Sequence, residues 1–258
     1  ALYVPQAGVV DYKVVSEMIA KKFLSLGGTI KYFQKIKTIN TENNLKVLTS
    51  DKETFKSEFL INCAGLFSDT VAELDNIKPD LRIIPFRGEY YVLSEEKAYL
   101  VNNMIYPISD PNLPFLGIHL TKTVDGQIEA GPNAVLAFAK EGYKWSNINV
   151  SEFMKTISYK GMWKLGKQYL GTGVSEMYRS LNKRVFLKEI LNYIPDVRLS
   201  DLKPRVAGVR AQAVSSNGDL IDDFVFEDGN NSLHVLNAPS PAATASLAIG
   251  EYIAAKVS

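Results

Sequence analysis

The stretch SLHVLNAPSPAATASLAIGEYIAAK, from Ser232 to Lys256, decides the fold. It reads as strand, tight turn and helix. Leu233, Val235 and Leu236 give the apolar run of a buried strand, and Asn237 to Pro239 break it. Ser240 suits an N-cap, and Pro241 suits the first helical position, where a missing N–H costs nothing. Ala242, Ala243 and Thr244 are small and would leave backbone N–H groups at the positive end of the helix dipole. That end suits an anion or the electron-rich carbonyl of a flat ligand. A capped C-terminal helix packed on a sheet satisfies the same pattern, so the rest of the chain must decide.

Working outward, the segment INCAGLFSD (61–69) repeats the theme. A buried strand from Leu60 runs into a glycine turn at Gly65, and Ser68 and Asp69 can cap a helix from Thr70 to Leu74. Ligands of α/β sheets bind at such carboxyl ends of strands, although a plain strand–helix turn reads the same way. Upstream, Asp11 caps a helix from Tyr12 to Leu26, with Val14, Val15, Met18, Ile19, Phe23 and Leu26 on one face. Strands are expected over Thr29–Ile39, Leu45–Thr49 and Thr54–Phe59.

From Leu81 the texture changes. IIPFRGEYYVL (83–93), MIYPI (104–108), FLGIHLT (115–121) and QIEA (127–130) are strand-like and separated by Pro, Gly, Asn and Asp, the pattern of an antiparallel sheet. Residues 151–193 carry apolar residues at helical spacing, and strand character returns over Val206–Val214 and Leu220–Phe226. The order predicts a mixed α/β (α+β) fold: a discontinuous domain over 1–80 and 205–258, with a second domain, 81–204, inserted into it.

The bulk numbers exclude several classes. The 258 residues are 46% hydrophobic and 22% charged, with a formal net charge of +1, so there is no electrostatic case for nucleic acid. One cysteine, Cys63, excludes an internal disulfide, and with only His119 and His234 as histidines no metal site is expected. No apolar run approaches the roughly 18 residues of a membrane span.

Three further motifs carry chemistry. In PFRGEYY (85–91), Arg87 and Gly88 place a cation and a backbone gap inside an apolar strand; the alternative is a surface arginine paired with Glu89. In VAGVRAQAV (206–214), Arg210 and Gln212 share one strand face. A guanidinium there can grip a carboxylate with two hydrogen bonds, or face solvent on an edge strand. His119, flanked by apolar residues, can take a proton at neutral pH or serve structure alone. His234, in the expected buried strand, is read as structural.

Taken together, NCAGLFSD (62–69), PFRGEYY (85–91), Tyr106-Pro107 with DPNLPFLGIHLT (110–121), Asp125-Gly126 with EAGPNA (129–134), GVRAQ (208–212) and NAPSPAAT (237–244) resemble the L-2-hydroxyglutarate dehydrogenase/oxidase family. That family belongs to the FAD-dependent oxidoreductases related to glycine oxidase and D-amino-acid oxidase. The resemblance implies an incomplete Rossmann-like FAD-binding domain with an inserted antiparallel-sheet substrate domain that carries the helical stretch. It implies non-covalent FAD at Ile36, Ala64, Gly65, Arg87, Gly88, Gly208, Ser240, Ala242, Ala243 and Thr244. It implies oxidation of L-2-hydroxyglutarate to 2-oxoglutarate, with Arg210 holding a substrate carboxylate, His119 as base, and Tyr90, Tyr106 and Gln212 as substrate contacts. Oxygen or a quinone would accept the electrons, in the cytoplasm or at the periphery of the inner membrane. Alternatives are a sister oxidase of another small acid, such as an amino acid, and an inactive fragment.

The family begins with a glycine-rich strand–turn–helix that holds the FAD pyrophosphate. This chain opens on ALYVP and contains no G-x-G-x-x-G, so it is expected to be N-terminally truncated, with FAD weakly held or absent and exposed sheet edges available for self-association.

Overall fold

The computed structural model describes residues 2–108, 117–239 and 242–257. The chain forms two compact units, one from Ala1–Ile30, Phe86–Ala137 and Tyr169–Val209, the other from Lys31–Pro85, Phe138–Gln168 and Arg210–Ser258. The expected borders at residues 80 and 204 stand beside divisions at Pro85 and Val209. The segment 138–168 groups with the unit that holds the C-terminus.

That second unit carries the strand quoted first. Ser232–Asn237 is buried at every position. It pairs antiparallel with Val225–Gly229 and parallel with Leu60–Asn62, in the register Ser232↔Leu60, Leu233↔Ile61, His234↔Asn62. Helix Ser68–Leu74 packs on it, burying Ala72 with Leu81, Ile83, Ala213 and Leu236. A second sheet joins Ile36–Glu42, Leu45–Ser50 and Thr54–Ser57. Its first hairpin turns at Asn43 and Asn44 with φ of 49° and 65°, the positive pair that a tight two-residue hairpin requires and asparagine tolerates. Helices Val150–Ile157 and Lys160–Gln168 complete the unit, the first capped by Asn149, which accepts from the Glu152 N–H.

Two expectations change here. The strand forecast over Thr29–Ile39 begins only at Ile36, because Phe33 takes a left-handed φ of 57° that interrupts the extended chain. The helix forecast from Pro241 starts later. Ala242–Ala245 form a 3₁₀ turn, and the α-helix runs Ser246–Ala255 from Ala245, which gives no side-chain cap. Such tighter turns are frequent at helix starts. Ser240 and Pro241, the forecast cap, lie outside the described residues.

The first unit holds a four-stranded antiparallel sheet in the order Leu202–Pro204, Tyr91–Leu93, Ile128–Gly131, His119–Lys122. Helix Lys183–Ile190 covers it, and Phe186 and Ile190 join Leu93, Leu120, Ile128, Ala130 and Leu202 in one core. The Phe186 ring meets Tyr91 edge-on at 4.7 Å, a favoured aromatic geometry. The forecast strand 104–108 is reduced to one bridge, Ile105 to Leu120; Pro107 has no N–H to extend a ladder. Helix Tyr12–Ser25 is capped by Asp11, which accepts from the Lys13 N–H at 2.9 Å. It buries none of its residues; the face expected to be core, with Val14, Met18 and Phe23, is exposed in this structure.

Candidate functional site

The parallel pairing of Leu60–Asn62 with Ser232–Asn237 brings two turns to the same edge of the sheet. After Asn62 the chain surfaces at Cys63, Ala64 and Gly65. Gly65 takes φ 54°, and nothing lies within 4 Å of where a Cβ would stand. The turn is therefore a side-chain-free recess in the backbone at the carboxyl end of a strand, open to a flat ligand. After Asn237 the chain passes to Ala242, half-buried, and to Ala243 and Thr244, both exposed. These open, small-residue backbones fit the flavin expected from the sequence. Ile36 is half-buried at the start of its strand, opposite Ser50.

Beneath these turns lie buried polar groups whose pairing the sequence does not show. Asp69, 4% exposed, accepts from the backbone N–H of Ile83 at 3.0 Å and of Thr70 at 2.7 Å, and pairs with the buried Lys140 ammonium. Asp75 pairs with Lys46 at 2.5 Å and also accepts from Ser232 and His234. Burial alone would raise the Asp75 carboxyl, but the hydrogen bonds from Lys46 and Ser232 outweigh it and hold it below its ordinary value. Lys46 lies in LKVLTS, where nothing local announces a buried ammonium; its partner is 29 residues away.

Arg87 is neither on the surface nor isolated. It is 1% exposed and pairs with Glu89 at 3.2 Å. Burial pulls its guanidinium below the ordinary value, and Glu89 opposes that shift. Glu89 also accepts from the Asn133 amide at 2.9 Å and from the Ser180 hydroxyl. Gly88 is required by packing, because a Cβ there would stand 2.7 Å from Pro132 Cβ. Arg87 and Gly88 thus belong to a buried polar cluster of the first unit.

His119 has a defined chemical state. Its Nδ1 lies 3.2 Å from the Gly117 carbonyl, which can only accept, so Nδ1 carries a proton and, in the neutral ring, Nε2 holds the lone pair. Tyr106 stacks on the ring at 4.6 Å and 25°. Burial lowers the His119 pKa, with the Gly117 bond opposing. Its strand partner is Gly131, and a Cβ on Gly131 would stand 2.7 Å from the Tyr90 ring and from the Glu89 carbonyl.

Arg210 is exposed and Gln212 half-buried on one face of strand Gly208–Ser215, with the Gln212 amide donating to the Ala213 carbonyl at 3.2 Å. Gly208 is exposed, with open space in its Cβ direction. His119, Tyr90, Tyr106 and Gly208 belong to the first unit; Arg210, Gln212, Ala64, Gly65 and Ala242–Thr244 belong to the second. Among the described residues, no cluster of His, Cys, Asp and Glu could hold a metal ion.

Comparison with known proteins gives the site a family context. Residues 1–256 match the family described as FAD dependent oxidoreductase. The chain is 50% identical over 251 residues to an L-2-hydroxyglutarate dehydrogenase of Indibacter alkaliphilus, covering 97% of this chain and 63% of that protein. It is 42% identical over 257 residues to the L-2-hydroxyglutarate dehydrogenase of Escherichia coli, covering 99% and 61%. The chain therefore spans less than two thirds of the length of these relatives. Among solved structures, it is similar to L-alpha-glycerophosphate oxidase from Mycoplasma pneumoniae with FAD bound, with a TM-score of 0.65 and 19% identity over 91% of this chain and 52% of that one.

Proposed function

The chain belongs to the FAD-dependent oxidoreductase family, and from that premise we propose that it serves the oxidation of L-2-hydroxyglutarate to 2-oxoglutarate. The reaction removes two electrons and two protons from a secondary alcohol. FAD, when bound, supplies the acceptor for the α-hydrogen with its electron pair. The chain supplies the rest. His119 Nε2, holding its lone pair because Nδ1–H is committed to Gly117, takes the hydroxyl proton. Tyr106, stacked on the ring, keeps that nitrogen oriented. Arg210 grips a substrate carboxylate with two hydrogen bonds, and Gln212 adds a donor on the same strand face. The open backbones at Ala64–Gly65 and Ala242–Thr244 hold the cofactor.

The observation that carries this reading is the His119 arrangement: a half-buried neutral imidazole with one nitrogen fixed as donor and the other left basic. The substrate rests on the relatives' names. The terminal electron acceptor is oxygen or a quinone; no described helix is long and apolar enough to cross a membrane. Leu60–Asn62 is the last strand of its sheet among the described residues, and self-association through it is part of the proposal.

The test is a titration of the purified chain with FAD, followed by flavin absorbance and fluorescence. Anaerobic addition of L-2-hydroxyglutarate, glycine or sarcosine follows. Bleaching by L-2-hydroxyglutarate with stoichiometric 2-oxoglutarate supports the reading. No flavin uptake, or bleaching by an amino acid alone, overturns it.

A further inference from the structure

The turn that carries Ala64 and Gly65 is tied to a chain of buried polar side chains whose proton positions can be worked out one by one. The Ala64 backbone N–H can only donate, so the atom it meets at 3.1 Å is Asn62 Oδ1. Asn62 then presents its Nδ2 to the Ser68 carbonyl at 2.8 Å, which can only accept, and to His234 Nδ1 at 3.1 Å. Both Nδ2 hydrogens are thus donated, and His234 Nδ1 must accept. The imidazole proton therefore sits on Nε2, which faces Asp75 Oδ2 at 3.1 Å. Asp75 is held as a carboxylate by Lys46 at 2.5 Å and by the Ser232 hydroxyl at 2.6 Å. All five side chains from Lys46 to Asn62 are buried, His234 completely.

Each link fixes the direction of the next. If His234 carried its proton on Nδ1, that N–H would face the Asn62 Nδ2 donor, and the contact that braces the amide would become a repulsion. We infer that Asp75 and His234 are positioning residues for the Cys63–Gly65 turn: the carboxylate selects the Nε2–H tautomer, the imidazole sets the Asn62 amide, and Asn62 holds the turn in the shape that receives FAD. This inference rests on the reading of Ala64 and Gly65 as flavin contacts. Neither Asp75 nor His234 needs to touch the cofactor. A buried carboxylate satisfied at every step rigidifies a site in a way that a half-satisfied one cannot.

The experiment uses the 258-residue chain labelled with ¹⁵N histidine. With two histidines, a His119→Gln background leaves His234 as the single imidazole signal. The expected spectrum is a neutral ring with the proton on Nε2 and a hydrogen-bonded acceptor at Nδ1; a Nδ1–H ring overturns the inference without any change at the site. In the isosteric Asp75→Asn chain, the Ala64 amide should exchange with solvent at least tenfold faster while amides of strand Ser232–Asn237 keep their rates. FAD should also dissociate about tenfold more readily. Unchanged Ala64 exchange, or equal acceleration throughout the strand, overturns the positioning role. A wild-type chain that takes up no FAD refutes the flavin reading of the preceding section, and the ring spectrum and amide exchange still decide this one.

Discussion

Arg87 Nη2 lies 3.2 Å from Glu89 Oε1, with the arginine side chain 1% exposed and the glutamate 20%. Removing one partner of a buried ion pair typically costs about 3–5 kcal/mol. Glu89→Ala also removes the acceptor of the Asn133 Nδ2 and Ser180 hydroxyl hydrogen bonds, so the loss should reach that range in urea unfolding. A loss under about 1 kcal/mol would show that the cluster is not structural.

The core of the antiparallel unit should behave as ordinary packed interior. Phe186→Ala removes the ring that meets Tyr91 edge-on and joins Leu93 and Leu202. A cost of about 3–5 kcal/mol is expected from the lost burial and the cavity, read from the denaturant midpoint.

Gly65→Ala separates fit from stability. The left-handed φ of 54° costs an L-residue about 1–2 kcal/mol, and the added methyl meets no protein atom within 4 Å. FAD affinity should fall by more than the melting temperature suggests. A fluorescence titration giving unchanged affinity would remove this turn from the flavin site.

The pH profile of substrate oxidation should report His119. A base works when unprotonated, and burial lowers its pKa from the ordinary 6.5. The acid limb of kcat/KM should therefore fall below pH 6.5. His119→Gln should lower kcat about 10²–10⁴-fold and abolish that limb. A limb displaced above pH 7 would exclude His119.

Tyr159 makes a separate prediction in the alkaline range. Burial and then the Asp80 carboxylate push its hydroxyl up to about 12, against the opposing Arg82. The unfolded phenol ionises near 10. From there upward the unfolded state binds fewer protons, so Tyr159 contributes stability below pH 10 that is lost as pH rises towards 12. Tyr159→Phe should flatten the loss of stability across that window in denaturation series.

The strands and helices at the sheet edge were legible because each carried a local signal: a glycine turn after INCA, an apolar run before Asn237, and a histidine between apolar neighbours. Lys46, Asp75 and Lys140 were not legible, since a buried charge looks like any surface charge until its distant partner is known. Arg87 combines both readings of its motif: it is buried inside the apolar strand and it pairs with Glu89. Phe33 and the 3₁₀ turn at Ala242–Ala245 depend on backbone choices that composition does not fix.

The parallel pairing of Leu60–Asn62 with Ser232–Asn237 has a consequence for the order of folding. Ser232 lies 157 residues from its partner Asp75, and His234 lies 172 residues from Asn62. Closing loops of that length costs entropy before any contact offsets it. A chain emerging from the ribosome therefore makes Ala64 and Gly65 long before Ser232–Asn237 arrives to fix their shape. The Cys63–Gly65 turn is made well before the strand that braces it, and it is finished only when that distant strand pairs with Leu60–Asn62.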